Sequence, residues 1–550
     1  MGKAAAVIAV VVTALLVTSA GSAATRDVGA PAGKMYTVAF ASGSLPANVD
    51  QLVAAAGGKI VVRIPEIGGL GVTSSNPSFA ATMSASASVA AAESSARTSV
   101  PPDDSTGAFG VSSTAQTHSA AAISRARRHR GGHGGGSGAG ADPQPEPDDL
   151  GSEQWDKMRM NVSLTGSYAV NRGRPEVRVA FTDTGVDQTH PDIQANLDAA
   201  DSTSFVTDAV VFDGNGNPVP IVAEPDIQDY NGHGTWTASA VGAPINGVGI
   251  SGVAPNVSIV ELKTQDMNGN GLLLWFDQAM VYAGKKHFDI VSSSITSYVQ
   301  KCRGGDDDTK QNCDDADYML ARRAVKYARD NGVLTVAAMG NDNLDLADAK
   351  ALASDQVFGV PGVVEVPGGL PGVVGVSATG YANQKAYYSN YGQGIVDIAA
   401  PGGDPRFQLP PTDLYGAGGE LLGAWSSTAQ SGPPLTFDDG CTPSCFYAGL
   451  HGTSMATPNA AGVAALIVSR YGDFSGFGRG RWHMQPDQLE RALTSSANAQ
   501  PCPNPRTVTY AVPPGLFPFD YATCRGGQGN DNGFFGSGIV DAMAALTLRR

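Results

Sequence analysis

A chain of 550 residues is longer than one average domain and can bury a sizeable core. Hydrophobic residues make up 42% and charged ones only 16%, with 51 acidic against 36 basic side chains and a net charge of −15. This balance excludes a membrane bundle and argues against nucleic acid as a partner, while 69 glycines and 34 prolines call for many tight loops.

At the start, Lys3 precedes an apolar run from Ala4 to Val17, and small residues follow from Ser19 to Ala24. The run falls short of the ~20 residues that span a bilayer, so residues 1–24 read as a secretory signal and not as a membrane anchor. The expected location is extracellular. Six cysteines agree with export and fall as neighbours: Cys302/Cys313, Cys441/Cys445 and Cys502/Cys524. Local pairing is one of several connectivities, and a zinc site has little support from a lone C-x3-C spacing.

Next, Met35 to Ala41 reads as a strand, Pro46 to Ala56 as a helix, and Lys59 to Ile64 and Leu70 to Ser74 as strands. Ser78 to Ala92 reads as a second, Ala-rich helix. That order suits a small α+β unit over residues 25–98, an open sheet with helices on one face. From Ser95 the composition changes. Large apolar residues become scarce, and the chain runs through Arg125-Ala-Arg-Arg-His-Arg130, a Gly run from Gly131 to Gly140 and Pro143-Gln-Pro-Glu-Pro147. Residues 99–150 are therefore expected to form a disordered linker.

Over residues 151–550, apolar strands alternate with helical patterns. Val177 to Phe181, Val257 to Leu262, Ile290 to Ser293, Val333 to Ala338 and Gly372 to Val376 read as buried strands; Trp275 to Gly284 and Tyr318 to Asn331 read as helices. The predicted fold is α/β, a mostly parallel sheet with helices on both faces. In such sheets the site lies beyond the carboxyl ends of the strands. Three polar groups fall there. Asp183 ends an apolar strand in Val179-Ala-Phe-Thr-Asp183-Thr-Gly185, His233 opens a helix in Asn231-Gly-His233-Gly-Thr235, and Ser454 opens another in Gly452-Thr-Ser454-Met-Ala-Thr-Pro458. A serine needs a base within reach and an acid to orient that base. Singly, each residue reads equally well as a cap or a satisfied core group.

With their surroundings, these segments resemble the subtilisin-like serine proteases, over roughly Gln154 to Leu546. The resemblance is carried by Val177 to Ile193, Asp229 to Ser239, Gly252-Val-Ala-Pro255, Val336 to Asn341, Tyr388-Ser-Asn-Tyr-Gly392, Ala399-Ala-Pro-Gly402, Gly452 to Gly462 and Gly536-Ser-Gly-Ile-Val-Asp-Ala542. The chain order Asp, His, Ser separates it from other triad folds. The resemblance implies Ser454 as nucleophile, His233 as general base and then acid, Asp183 as its orienting carboxylate, and Asn341 as oxyanion donor. It implies a polypeptide substrate added as a strand between Gly269 to Leu273 and Ser293 to Thr296, with Gly271, Leu273, Ser294, Ile295 and Thr296 as contacts. Leu273 would line a distal pocket. Thr296-Ser297 stands where the family has Gly-Gly and would narrow the primary pocket; Asp342, beside Asn341, reads as an exposed loop carboxylate, with a preference for a basic residue in that pocket as the alternative. The chemistry implied needs no cofactor. A structural calcium is expected from the side chains of Asp192 and Asn246 and the carbonyls of Val248 and Ile250, with Gln154 as a further ligand. The N-terminal unit resembles an inhibitory propeptide through Val62-Arg-Ile-Pro-Glu-Ile-Gly68, and the chain is expected to act as a monomer. Two acidic or long insertions, Tyr298 to Asp317 and Arg406 to Cys445, depart from the family. The expectation is thus a secreted serine endopeptidase made as a zymogen; a catalytically silent binding protein, or an acyl-transfer esterase or ligase, are the alternatives on this scaffold.

Overall fold

A computed structural model describes residues 33–100, 118–119, 148–212, 218–300, 316–407, 419–430, 436–438, 445–474, 482–512, 515–527 and 531–548. The expected signal peptide, nearly all of the linker, the acidic run 306–308, Cys302, Cys313 and Cys441 lie outside those residues.

The N-terminal unit is a four-stranded antiparallel sheet in the order Gly58–Ile64, Gly69–Ser74, Lys34–Phe40, Val89–Ser94. Alternation along its first strand assigns the two faces. Tyr36, Val38 and Phe40 pack with Val53, Phe79 and Met83 of the helices Val49–Ala55 and Phe79–Ser84. Met35 and Ala39 turn the other way, onto Leu274, Met280, Leu320 and Ala324 of the two long helices of the following unit. The expected helix over Ser78 to Ala92 is therefore half wrong: it stops at Ser84, and Val89–Ser94 is a strand beside Lys34–Phe40. Alanine favours helix only weakly, and burying Val89 and Ala91 against a sheet edge outweighs that preference.

The larger unit is built on a seven-stranded sheet ordered Ile398–Pro401, Val373–Thr379, Leu334–Ala338, Ile290–Ser293, Arg178–Thr182, Ser258–Lys263, Thr203–Ser204. Every neighbouring pair is parallel. Strands buried on both faces read as continuous apolar runs, which is why the sequence marks them well. One face carries the helices His233–Gly242 and Thr453–Tyr471, packed against each other, and the opposite face carries Leu273–Lys286 and Ala316–Asp330. Cys502 and Cys524 are disulfide-bonded, as the spacing suggests.

The chain enters this unit through a buried polar anchor. Lys157 Nζ lies 3.0 Å from Asp156 Oδ2 and donates to Asn459 Oδ1 at 2.7 Å; Asn459 Nδ2 in turn donates to Asp156 Oδ2 at 3.1 Å. Trp155 donates its indole N–H to the Glu420 carbonyl at 3.0 Å. Asn459 sits one and a half turns into the helix that Ser454 opens.

Candidate active site

The strand Arg178–Thr182 delivers Asp183 at its carboxyl end, fully buried. Asp183 Oδ1 lies 2.7 Å from His233 Nδ1 and accepts the Thr184 N–H at 2.8 Å, while Oδ2 accepts the Thr237 hydroxyl at 2.9 Å. A carboxylate accepting at Nδ1 fixes the proton there and leaves Nε2 as the basic nitrogen. His233 can sit this close because Gly234, the next residue, crosses the Asp183 turn so tightly that a Cβ would lie 2.1 Å from the Gly185 carbonyl oxygen.

The residue before the His233 helix is Gly232, which has no side chain to cap the exposed amides. Asp229, fully buried, supplies the cap from outside the helix. Its Oδ1 accepts the N–H groups of Asn231 (3.0 Å) and Gly232 (2.8 Å) and the Thr184 hydroxyl (3.0 Å). Oδ2 accepts the Thr235 N–H at 2.9 Å and its hydroxyl at 2.7 Å. The sequence holds Asp229 inside a matching stretch but gives it no role; only the converging donors do.

Ser454 begins the helix Thr453–Tyr471 and is buried. Its Oγ donates to the Ser294 carbonyl at 3.3 Å, and Ser294 Oγ donates to the Ser454 carbonyl at 2.9 Å. Asn341 follows the strand Leu334–Ala338, and its Oδ1 accepts the Thr453 N–H (3.0 Å) and hydroxyl (2.8 Å). With the oxygen so anchored, the Asn341 Nδ2 lies beside Gly452, 3.2 Å from where a Cβ there would be. Asp183 and His233 are thus bonded, and the helices that present His233 and Ser454 are packed together.

The two segments expected to receive a substrate hold a strand of the chain itself between them. Arg97–Ser99 pairs antiparallel with Asn270–Leu272, in register Thr98 to Gly271. Ser99 exchanges both hydrogen bonds with Thr296, at 3.1 and 3.0 Å, and Val100 donates to the Gly269 carbonyl at 3.0 Å. Of the expected contacts, Gly271 and Thr296 lie directly opposite this strand, and Ser294 and Ile295 precede Thr296 on the same segment. Leu273 is fully buried and opens a helix, touching the strand through its N–H to the Ala96 carbonyl at 3.1 Å. By composition, residues 97–99 fall at the junction of the N-terminal unit and the linker; pairing with residues far along the chain orders them.

Thr296 does not simply narrow the pocket beside it. Its hydroxyl donates to Glu365 Oε1 at 3.0 Å, and Glu365 Oε2 accepts the Gly369 N–H at 3.0 Å. Nor is Asp342 an exposed loop carboxylate: it is partly buried and accepts the Tyr298 hydroxyl. Burial raises both carboxyl groups, Glu365 to about 8, with the charge of Asp342 adding to the effect on Glu365. Glu365 escaped the sequence reading, although a carboxylate within Val363-Val-Glu365-Val366 is the kind of signal that marks a buried charge with a purpose.

The residues expected to hold calcium lie together. Asp192 is fully buried and Asn246 Nδ2 is 3.4 Å from its Oδ1. Gly247 and Gly249 adopt positive φ, which lets successive carbonyls converge. Among the described residues no hydrogen bond reaches the carbonyl oxygens of Val248 or Ile250. Burial, with the charge of a second carboxylate, Asp148, adding to it, pushes Asp192 up to about 8. A buried carboxylate beside unbonded carbonyls, with no cationic side chain among its partners, fits a hard cation. Gln154 fits less well, because its amide is spent on both backbone groups of Ser251. Among the described residues no cluster of three or more His, Cys, Asp or Glu exists to hold a metal.

The carboxyl edge of a parallel α/β sheet thus carries a buried, hydrogen-bonded Asp–His pair and, on a helix packed against that of the His, a buried serine in the first turn. The subtilase family model matches residues 174–538, and the chain belongs to the subtilase family. It is 29% identical over 310 residues to the alkaline protease of Alkalihalobacillus alcalophilus, covering 56% of each chain. It is 28% identical over 310 residues to subtilisin Savinase of Lederbergia lenta, covering 56% of this chain and 80% of that one. The chain thus spans about half the length of several curated relatives it matches. Among solved structures, the epidermin leader peptide processing serine protease of Staphylococcus aureus shares the fold with a TM-score of 0.63 at 21% identity, over 94% of this chain and 99% of that one. Fervidolysin of Fervidobacterium pennivorans, described as a keratinolytic enzyme, does so with a TM-score of 0.58 at 20% identity, over 95% and 62%.

Proposed function

We propose that this chain is a secreted serine endopeptidase that cuts polypeptides through an acyl-enzyme intermediate and is made as a zymogen. The observation that carries the reading is the short Asp183–His233 bond at the edge of a cleft already shaped to hold an extended strand. His233 Nε2 takes the Ser454 Oγ proton as the oxygen attacks the substrate carbonyl. Asp183 holds the ring in the tautomer that allows this and offsets the charge of the imidazolium. As the tetrahedral intermediate forms, Asn341 Nδ2 and the Ser454 N–H donate to its oxyanion. Collapse expels the amine with the proton from Nε2, and water repeats the steps in reverse on the ester.

The zymogen reading is supported by the strand Arg97–Ser99 in the cleft and by the clasp behind it. Asp317, at the start of a long helix, accepts the Thr37 hydroxyl and the Ala96 N–H, both at 2.7 Å. A chain bound so is an inhibitor until it is cut and released. Calcium, held by Asp192, Asn246, Val248 and Ile250, would stabilise the fold and supply nothing to the chemistry.

The test is Ser454→Ala in the full chain. Hydrolysis should fall by ~10⁶, and the precursor should stay uncut where maturation is self-catalysed. Reaction of a serine-directed phosphonate at a residue other than Ser454 in the parent chain refutes the assignment.

A further inference from the structure

The strand lying in the cleft fixes a register, and the register shows where the residue before a cut must point. Ser99 and Thr296 are directly opposite and exchange both backbone hydrogen bonds. In an antiparallel pair the next such couple lies two residues on, and side chains two apart share a face. A substrate in this register that sets one residue opposite Thr296 therefore sets another, two places later, opposite Ser294. The Ser294 carbonyl is 3.3 Å from the nucleophile's Oγ, so that second residue carries the carbonyl to be attacked. Its side chain leaves the strand on the same face as that of Thr296.

That face leads to two carboxylates. Thr296 Oγ1 bonds Glu365, which stands opposite Tyr298 in the antiparallel pair Ser297–Gln300 with Val363–Val366. Tyr298 bonds Asp342, the residue after the oxyanion donor. Three segments, 296–298, 340–342 and 365–369, thus surround one spot. Glycine keeps its wall thin: at Gly340, with φ +93, a Cβ would lie 3.0 Å from the Tyr298 hydroxyl oxygen. Among the described residues neither Glu365 nor Asp342 has a Lys, Arg or His within ion-pair distance, although Glu365 is only 1% exposed. Burial without a counter-charge favours the protonated form of both groups, and a cation brought in by the substrate would favour their ionised form and pair with it.

We propose that Glu365 and Asp342 form the floor of the pocket for the side chain just before the cut and select lysine or arginine there. The proposal rests on the peptidase reading above. A neutral residue in that pocket leaves both carboxyl groups hydrogen-bonded but without a counter-charge, so discrimination arises from the ion pair that the wrong substrate fails to make.

The experiment uses the matured full chain and a peptide set that differs only at the residue before the cut: Arg, Lys, Gln, Leu or Phe. The expected kcat/KM for Arg and Lys exceeds that for Leu by about tenfold or more. In Glu365→Gln the ratio of Arg to Leu should fall by about tenfold, because the charge goes while the side-chain shape stays. Asp342→Asn, a second and less buried change, should lower the same ratio and covers the case in which the first variant does not fold. A parent chain that prefers Leu or Phe overturns the proposal, as does a Glu365→Gln chain whose ratio is unchanged; in either case Glu365 only staples the turn at Gly369. If no peptide is cut and Ser454 resists phosphonate, the peptidase reading itself fails, and this one with it. Cutting with the wrong preference sinks this one alone.

Discussion

Asp229→Asn is the sharpest probe of how the base is held in place. The carboxylate accepts five hydrogen bonds, three at one oxygen and two at the other. An amide has one acceptor oxygen, which the three-donor side would claim. Its NH₂ then faces the Thr235 N–H, two donors against each other, and the Thr235 hydroxyl can turn to accept only once. At least one charge-assisted bond is lost and one buried N–H is left unmet, about 3 kcal/mol in all. The start of the His233 helix should shift, and a misplacement of about 1 Å is enough to cost about 10²-fold in turnover. Stability should be read by urea unfolding in a Ser454→Ala background, so that autolysis does not blur the transition; turnover should be read in the active chain on a small peptide. The reasoning would fail if Asp229→Asn unfolded within about 1 kcal/mol of its parent and kept its kcat.

If Asn341 is the proposed oxyanion donor, Asn341→Ala should lower kcat by ~10²–10³ with a much smaller change in KM, because such a donor meets charge that exists only in the transition state; steady-state kinetics on one peptide decides this, and an equal rise in KM would point to a plain turn residue. Removing calcium with a chelator should lower the melting temperature, and Asp192→Ala should abolish that difference; at a hundredfold excess over Kd the ion is worth ~2.7 kcal/mol. Equal melting curves with and without chelator for the parent chain would remove calcium from the account.

What could be read from the sequence was what depends on local pattern. The buried parallel strands are unbroken apolar runs, and Asp183, His233 and Ser454 each stand where such a run ends or a small-residue helix begins. The resemblance singled out the segments near Gly271 and Thr296, which are the two that flank Arg97–Ser99. What escaped was set by contacts across the chain. Residues 97–99 look like linker by composition and become a strand only because the cleft offers two edges. Asp229 looks like one more loop acid until five donors from Thr184 to Thr235 converge on it. Ser78 to Ala92 misled because alanine content says helix, while Val89–Ser94 answers to a neighbouring strand. Glu365 is the instructive case: the cue was present in an apolar strand, but its meaning depends on Thr296 and Asp342 standing next to it.

The anchor at Lys157 has a further consequence, for how short the finished protein can be. Asp148 accepts the amides of Asn246 and Gly247, Trp155 donates its indole N–H to the Glu420 carbonyl, and Lys157 and Asp156 close around Asn459 inside the helix that carries Ser454 in its first turn. The stretch from 148 to 157 is therefore a keystone laid across the back of the reactive edge, not a dispensable leader. Trimming that stops ahead of Asp148 leaves every one of these bonds intact. Trimming that runs past Lys157 strands Asn459 in a dry interior and opens a gap beneath the helix on which Ser454 rides.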